Sequence, residues 1–316
     1  MTTVPEKPNR VAYHRIDRAT GIYRWWKPLA VAAIGFVIYL ALALLVLAAA
    51  DLIARSALSE ADYAEHLRQL GSLNTVITEP FALAALLLSV AVMAPALFLA
   101  RLIVRAGSIG TLSSVVGKIR WRWFALALIP AAIYMGIQIL IGYLIAPAVT
   151  GEPLGAITTP PATYLACLIV ILLFVPIQAS AEEYVFRGFV LQAVGGWVRW
   201  PAVAIVASAI PFVFGHSYNL WGLAEILVFA LVAAWITLRT GGLEAAIGVH
   251  ILTNVMAFGI PALGFANVEE ADGSVEEFVI ALVLLPLYAL AVDRIFVRSP
   301  YSREGDGQRQ LVDLRA

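Results

Sequence analysis

The feature that most constrains this chain is a series of eight apolar segments, each about the length needed to cross a bilayer. A spanning helix needs about 20 mostly apolar residues, and a helix satisfies its own backbone hydrogen bonds in lipid. The 316 residues are 61% hydrophobic and 13% charged, whereas soluble domains carry about 25% charged residues. The sequence therefore predicts an all-α fold, a polytopic transmembrane helical bundle of about eight spans. The predicted spans are residues 28–50, 81–104, 123–146, 163–194, 201–217, 221–239, 243–260 and 277–297.

The apolar pattern divides the chain into four parts without a separate soluble domain. We predict a cytoplasmic N-terminal segment, three N-terminal transmembrane helices with their loops, a catalytic helical core, and a last transmembrane helix with a cytoplasmic tail. These parts cover residues 1–27, 28–162, 163–260 and 261–316, respectively.

The distribution of basic residues predicts the orientation of the spans. Cytoplasmic loops of membrane proteins carry an excess of Lys and Arg. When alternate loops are assigned to one side, all 21 Lys and Arg residues except Arg55 and Arg68 lie on that side. This asymmetry favours an even number of spans with both termini cytoplasmic. We therefore expect an integral, multi-pass protein of a bacterial cell membrane, whose first partner is the lipid bilayer.

Three charged residues stand out inside the fourth apolar segment, namely Glu182, Glu183 and Arg187. Ionisable groups at membrane depth are costly, and they usually face a protein interior or a wet cavity where they have a function. Residues four apart share a helix face, so Glu183 can pair with Arg187 while Glu182 points about 100° away. The spacing predicts that Glu183 and Arg187 support the structure and that Glu182 is free to react. Gln178 shares the face of Glu182.

Two of the four histidines lie in apolar segments and two in polar ones. His14 and His66 fall in polar stretches, where we expect solvated side chains. His216 ends an apolar helix, and His250 shares a helix face with Asn254, four residues later. With a rise of about 1.5 Å per residue, Glu182, His216 and His250 lie about 20, 22 and 14 Å from their cytoplasmic helix ends. All three therefore reach the middle of a core about 30 Å thick.

A glutamate with two histidines on separate helices suits two kinds of hydrolysis. Glu182 can act as a general base on a water that an imidazole positions. Alternatively, Glu182, His216 and His250 can hold a divalent metal such as zinc that activates the water. In either case Asn254 and a histidine are candidates to stabilise an oxyanion. The residues themselves leave both alternatives open.

Other common chemistries find no support in the sequence. The single cysteine, Cys167, excludes an internal disulfide and a cysteine-based metal cluster. There is no His-Glu-x-x-His pair of the usual zinc protease, no Gly-x-Ser-x-Gly nucleophile motif and no glycine-rich phosphate loop. No nucleic-acid-binding module is visible, so we expect no nucleic-acid partner.

Three short motifs resemble those of a known family. Glu182-Glu183-x-x-x-Arg187, Phe212-x-x-x-His216 and His250-x-x-x-Asn254 occur in that order on separate predicted helices. This set resembles the CPBP family of intramembrane proteases, which includes the type II CAAX prenyl endopeptidases and the bacteriocin-processing Abi proteins. The resemblance covers about residues 163–260, and residues 1–160 carry no motif of their own.

The resemblance implies an intramembrane endopeptidase that cleaves a membrane-associated protein or peptide, of which a prenylated CAAX tail is the best-known example. It implies that Glu182 activates the water while His216 orients it. It further implies that His250 and Asn254 form the oxyanion site, and that Glu183 and Arg187 support them. Both a metalloprotease mechanism and a metal-free glutamate mechanism are argued for the family.

Two other functions are compatible with the same residues. A non-proteolytic membrane scaffold or immunity protein could keep the motifs without turnover. An ion-coupled transporter could use Glu182 as a proton site, but it would need further buried charges along a path. Glu225 and Glu244 are the candidates for such a path, and both lie near helix starts, where interfacial positions are expected.

Overall fold

The computed structural model describes residues 11–69, 77–151, 156–264 and 273–302. Within these ranges the protein is helical and has no β-strand, only one isolated antiparallel bridge between Ser114 and Gly242. The predicted all-α fold is therefore confirmed. The helices are α1 (Ile16–Ala19), α2 (Lys27–Ala57), α3 (Glu60–Gln69), α4 (Pro80–Ala91), α5 (Met93–Val104), α6 (Gly110–Ser113), α7 (Trp121–Leu140), α8 (Ala146–Thr150), α9 (Pro161–Glu183), α10 (Leu191–Trp197), α11 (Pro201–Phe214), α12 (Leu220–Thr240), α13 (Glu244–Gly259) and α14 (Val275–Arg298).

Seven continuous helical stretches in the described residues are long and apolar enough to cross a membrane. They are Lys27–Ala57, Pro80–Val104, Trp121–Val149, Pro161–Trp197, Leu220–Thr240, Glu244–Leu263 and Val275–Arg298. The fifth predicted span, residues 201–217, differs from the others because its helix α11 has only 14 residues. At about 1.5 Å per residue α11 is about 21 Å long, shorter than a hydrocarbon core of about 30 Å. The predicted placement of both termini in the cytoplasm stays a prediction.

The sequence marks where most of these helices begin and end. Prolines occupy the first turn of α2, α4, α9 and α11. Backbone N–H groups in the first turn make no hydrogen bond within the helix, so the N–H that proline lacks costs the helix nothing there. Ser274 and Glu277 form a capping box at the start of α14. Gly241 ends α12 with a φ of 67°, a left-handed conformation that glycine adopts without steric penalty.

Helix α9 carries the paired glutamates at its end. It packs against α4 on one side and against α13 on the other. Helix α13 in turn packs on α7, and α12 lies between α11 and α14. By contrast, α2 contacts mainly α4 and α5 and lies at the edge of the bundle. The helices that carry the three motifs are therefore neighbours, as the predicted site requires.

A buried ion pair fixes the start of α13. Two guanidinium nitrogens of Arg120, Nε and Nη2, donate to the Glu244 carboxylate at 2.8 Å. The Arg120 backbone N–H donates to the same carboxylate at 2.9 Å. The Glu244 side chain is fully buried. Glu244 is thus buried at its helix start, because the loop before α7 folds over the α12–α13 turn and supplies the countercharge; its interfacial depth stays a prediction. Val115 N–H also donates to Gly241 O at 2.8 Å in this contact.

The segment before α2 lies across the end of α10. Arg15 and Arg18 donate to the carbonyls of Gly195 and Gly196 at 3.3 and 2.8 Å. A Cβ at Gly195 would approach His14 O to 1.9 Å, so this contact requires glycine. His14 is consequently buried rather than solvated, and burial lowers the pKa of its imidazole.

His66 also differs from its predicted solvated state. Its side chain is buried, and its Nδ1 lies 3.3 Å from Glu79 Oε2. Glu79 is the N-cap residue of α4 and accepts a hydrogen bond from Ala82 N–H. The helix α3 therefore folds back onto the start of α4, which a polar stretch alone does not reveal.

Breaking the buried ion pair at the start of α13 should destabilise the fold. Glu244→Ala leaves Arg120 buried without its countercharge, so we expect a loss of about 3–5 kcal/mol in unfolding free energy. The matched control is Asp293→Ala, which breaks the ion pair with Arg239, whose side chain is 49% exposed, and should cost less than about 1 kcal/mol. Thermal unfolding in detergent measures both changes. Equal melting temperatures for the two variants would contradict the structural role of Glu244.

Candidate active site

A change of helix type occurs at the paired glutamates. Helix α9 is α-helical to Glu183, and the next seven residues, Tyr184–Val190, form a π-helix before α10 begins. A π-helical turn adds a residue to the turn and is frequent at functional sites. Because Arg187 lies in this turn, its side chain is rotated relative to a regular α-helix. Sequence spacing predicts one continuous α-helix here and does not detect this feature.

Glu183 is contacted by one charged group of its own helix region and by one of another helix. Its Oε1 accepts a hydrogen bond from Arg187 Nη1 at 2.7 Å. The same oxygen lies 2.7 Å from His250 Nδ1 on helix α13. The side chains of Glu183 and Arg187 are completely buried. The predicted i,i+4 pair is therefore present, and it is extended by a histidine from another helix.

The guanidinium group of Arg187 packs against aromatic rings. Its Cζ lies 4.1 Å from the ring centre of Phe212 and 5.6 Å from that of Phe229. Cation–π contacts of this kind stabilise a desolvated charge. Phe212 is the first residue of the second motif, so its ring links Arg187 to the helix that leads to His216. The sequence marked Phe212 only as a motif position and gave no role to Phe229.

Glu182 is held by two side chains that contact the same one of its carboxylate oxygens. Gln178 Nε2 donates to Glu182 Oε2 at 2.8 Å, and His250 Nε2 lies 3.3 Å from the same oxygen. Residual exposure of the Glu182 side chain is 12%, whereas that of Glu183 is 0%. Of the two adjacent carboxylates, Glu182 is thus the one that a water or a substrate can reach.

His250 lies between the two carboxylates and joins them. Its Nδ1 faces Glu183 and its Nε2 faces Glu182. An imidazole donates from both nitrogens only when it is doubly protonated. With an imidazolium at His250, the cluster contains two anions and two cations, counting Arg187. This neutral arrangement reduces the cost of burying four ionisable groups.

Asn254 reaches the site through Gln178. Asn254 Nδ2 donates to Gln178 Oε1 at 3.0 Å, and Gln178 Nε2 in turn donates to Glu182 Oε2. The amide of Gln178 therefore connects the third motif with the first. Sequence reasoning placed Gln178 on the face of Glu182, and the structure shows this contact.

His216 lies at the rim of the cluster. Its Nδ1 is 2.8 Å from the carbonyl oxygen of Phe212. Because a carbonyl only accepts, Nδ1 carries the proton and Nε2 of the neutral ring is an acceptor. The rings of His216 and His250 both contact Phe212, with centroid distances of 4.9 and 5.8 Å.

The three candidate metal ligands, Glu182, His216 and His250, are not arranged as a metal site. Among the residues that the structure describes, no group of three or more His, Cys, Asp or Glu side chains could hold a metal ion. Both ring nitrogens of His250 face carboxylates and Nδ1 of His216 faces a carbonyl. Whether Glu182, His216 and His250 hold a metal stays a prediction.

Comparison with known proteins supports the assignment of this region. Residues 161–256 match the family model described as type II CAAX prenyl endopeptidase, Rce1-like. All six predicted site residues fall in this range. This match confirms the resemblance to the CAAX endopeptidases that the motifs predicted. It also supports the interpretation of the chain as an intramembrane protease. The wider grouping with the Abi proteins stays a prediction.

A relative of similar sequence is an uncharacterized protein, YyaK, of Bacillus subtilis (strain 168). It is 30% identical over an alignment of 146 residues, and the match covers 44% of this chain and 47% of YyaK. The chain thus spans about half the length of this curated relative. No solved structure matches the chain significantly.

The two glutamates should differ in what they contribute to stability. Glu183→Ala removes the countercharge of Arg187 and one partner of His250, so we expect a loss of about 3–5 kcal/mol. Glu182→Ala should lower the melting temperature less, because its carboxylate is closer to solvent. Glu183→Gln is the matched control, since its amide oxygen can still accept from Arg187. A lower melting temperature for Glu182→Ala than for Glu183→Ala would contradict the assignment.

Proposed function

We propose that the chain is an intramembrane endopeptidase in which Glu182 activates the water that hydrolyses a peptide bond. The single observation that carries this proposal is that the two adjacent carboxylates, Glu182 and Glu183, differ in burial and in their partners. Glu183 is fully buried and held by Arg187 and His250, whereas Glu182 is held from one side and retains some exposure. A general base must be ionised and must reach the proton that it abstracts. Glu182 meets both conditions.

The first step is attack of water on the carbonyl carbon. Glu182 takes a proton from the water while the water oxygen forms a bond to the carbonyl carbon. The electron pair of the C=O double bond moves onto the carbonyl oxygen. Nε2 of His216 accepts a hydrogen bond from the second proton of the water and so orients it. The oxyanion is stabilised by N–H donors of His250 and Asn254, both on helix α13. The Nε2–H of His250, which faces Glu182 in the free enzyme, turns to the oxyanion once Glu182 has taken the proton, and Asn254 Nδ2 uses the N–H that it does not donate to Gln178.

The second step is breakage of the C–N bond. The oxyanion re-forms the carbonyl, and the amine leaves with the proton that Glu182 delivers. Glu182 thereby returns to its ionised state. Glu183 and Arg187 do not touch the substrate in this account. They hold His250 in the orientation that the two steps require, and Gln178 holds Glu182.

We propose that the substrate is a membrane-associated protein or peptide, and a prenylated CAAX-type tail is the first candidate because of the family match. The site lies among helices long enough to cross a bilayer, so the substrate must reach it from the membrane or from its surface. We also propose a metal-free reaction, because both nitrogens of His250 face the two glutamates.

Cleavage by wild type and by Glu182→Gln tests the proposal. The assay uses protein purified in detergent and an internally quenched CAAX-type peptide with a farnesylated cysteine. We expect Glu182→Gln to lower kcat by about 10²–10⁴-fold, the usual contribution of a general base. Glu225→Gln is the matched control, because Glu225 is another partly buried glutamate without a role in the proposed steps, and it should cleave like wild type.

Two outcomes of this assay would change the account. Equal cleavage by wild type and Glu182→Gln would rule out Glu182 as the base. Complete inhibition of wild type by phenanthroline, reversed by added zinc, would contradict the metal-free reaction and support the metal-dependent alternative.

A further inference from the structure

Two phenylalanine rings contact both Arg187 and His250. Phe212 lies on α11 and Phe229 in the middle of α12, and both side chains are buried. Their ring centroids lie 6.0 Å apart with the planes inclined by 28°, so the two rings stack. Among the rings that the structure describes, these are the two that lie against the guanidinium group as well as the imidazole. The site therefore includes α12, a helix that carries none of the three motifs.

Each of the two rings is closer to a different partner. Cζ of Arg187 lies 4.1 Å from the ring centre of Phe212 and 5.6 Å from that of Phe229. The imidazole of His250 shows the opposite order, with centroid distances of 5.8 Å to Phe212 and 5.0 Å to Phe229. Phe212, the motif residue, is thus mainly a partner of Arg187. Phe229, which lies outside the motifs, is mainly a partner of His250.

The polar contacts of His250 do not by themselves fix the plane of its ring. Nδ1 faces Glu183 and Nε2 faces Glu182. Rotation of the ring about the line that joins the two nitrogens changes neither distance. It does turn both N–H bonds away from their acceptors, because these bonds lie in the ring plane, and a hydrogen bond weakens as its N–H direction departs from the acceptor. A further contact must therefore hold the plane.

The two phenylalanines restrict this rotation. The planes of Phe229 and Phe212 are inclined to the imidazole plane by 67° and 80°, so both contacts are T-shaped. A T-shaped contact sets the positive edge of one ring against the negative face of the other, and it is lost when either ring tilts. The plane of His250 decides where Nε2–H points. In the proposed mechanism this N–H faces first Glu182 and then the oxyanion.

We infer that Phe229 is a positioning residue of the proposed reaction, and that its ring fixes the plane of His250 while it also lies against Arg187. Phe229 does not touch the substrate in this account. It acts through His250, so its effect falls on kcat and not on KM. This inference rests on the proposed function and adds a residue outside the three motifs to the proposed site.

The test replaces Phe229 with phenylalanines that carry one, two or three fluorine atoms on the ring. Each fluorine withdraws electrons and weakens the negative face of the ring, whereas the shape of the side chain changes little. Cleavage of the farnesylated CAAX-type peptide and thermal unfolding are measured on the same detergent samples. We expect kcat to fall stepwise, on the order of twofold for each fluorine, at unchanged KM. The melting temperature should fall stepwise as well.

Phe186 provides the matched control. Its ring packs on Phe212 with 5.2 Å between centroids and an angle of 80°, but within the described chain neither the guanidinium group nor the imidazole lies against it. The same fluorinated residues at position 186 should leave kcat and KM as in wild type. Phe229→Leu removes the ring and should lower kcat by about tenfold. If Phe229→Leu fails to fold, the fluorinated series, which keeps the shape of the side chain, still decides the matter.

The outcomes separate this inference from the proposed function. An unchanged kcat across the series at position 229, with wild type active, would overturn the role of Phe229 and leave Glu182 as the base. Equal losses at positions 186 and 229 would also overturn it, because the effect would then come from packing. If wild type cleaves no peptide, the proposed function fails and the melting temperatures decide. A stepwise fall at position 229 alone then supports the contact of the ring with His250 and Arg187, and equal values overturn it.

Discussion

The structure of the site depends on one buried carboxylate. Glu183 accepts hydrogen bonds from Arg187 in the next turn and from His250 on another helix, and none of its side chain is exposed. Removal of either partner would leave a charge in apolar surroundings, which is far more costly than the pair itself. This contact fixes the distance between α9 and α13. It also turns Nε2 of His250 towards Glu182. The surroundings of the reactive carboxylate, Glu182, are therefore set by Glu183, the residue next to it.

Two contacts at the helix ends hold this arrangement in place. Arg120 binds Glu244 at the first residue of α13, six residues before His250. The N-terminal segment lies across Gly195 and Gly196 in α10, which continues the helix of the paired glutamates. Both contacts lie at the ends of the two helices that Glu183 joins. The polar contacts of the site lie within the bundle. Further polar contacts at the ends of the two helices hold these helices in position relative to each other.

Much of this arrangement could be predicted from residue spacing. The length of the apolar segments predicted the helical fold, since only helices satisfy the backbone within each segment. The i,i+4 rule predicted the pair of Glu183 with Arg187 and the shared face of Gln178 and Glu182. These are local relations along one helix, and the structure contains both contacts. The convergence of three motifs followed from comparing depths along separate helices.

The remaining features depend on contacts between distant parts of the chain. The π-helical turn at Tyr184–Val190 has no distinct sequence pattern, and it changes which way Arg187 points. The bond between Glu183 and His250 joins residues 67 positions apart. His14 and His66 were expected to be solvated, yet both are buried by contacts with other parts of the chain. Spacing along one helix contains no information about such tertiary contacts.

The central claim is that Glu182 is ionised and ready to accept a proton, while Glu183 is committed to Arg187 and His250. Infrared difference spectra between wild type and Glu182→Gln at neutral pH test it most directly. The account predicts that the difference contains the stretching bands of an ionised carboxylate. A band of a protonated carboxylic acid that is present in wild type and lost in Glu182→Gln would contradict it.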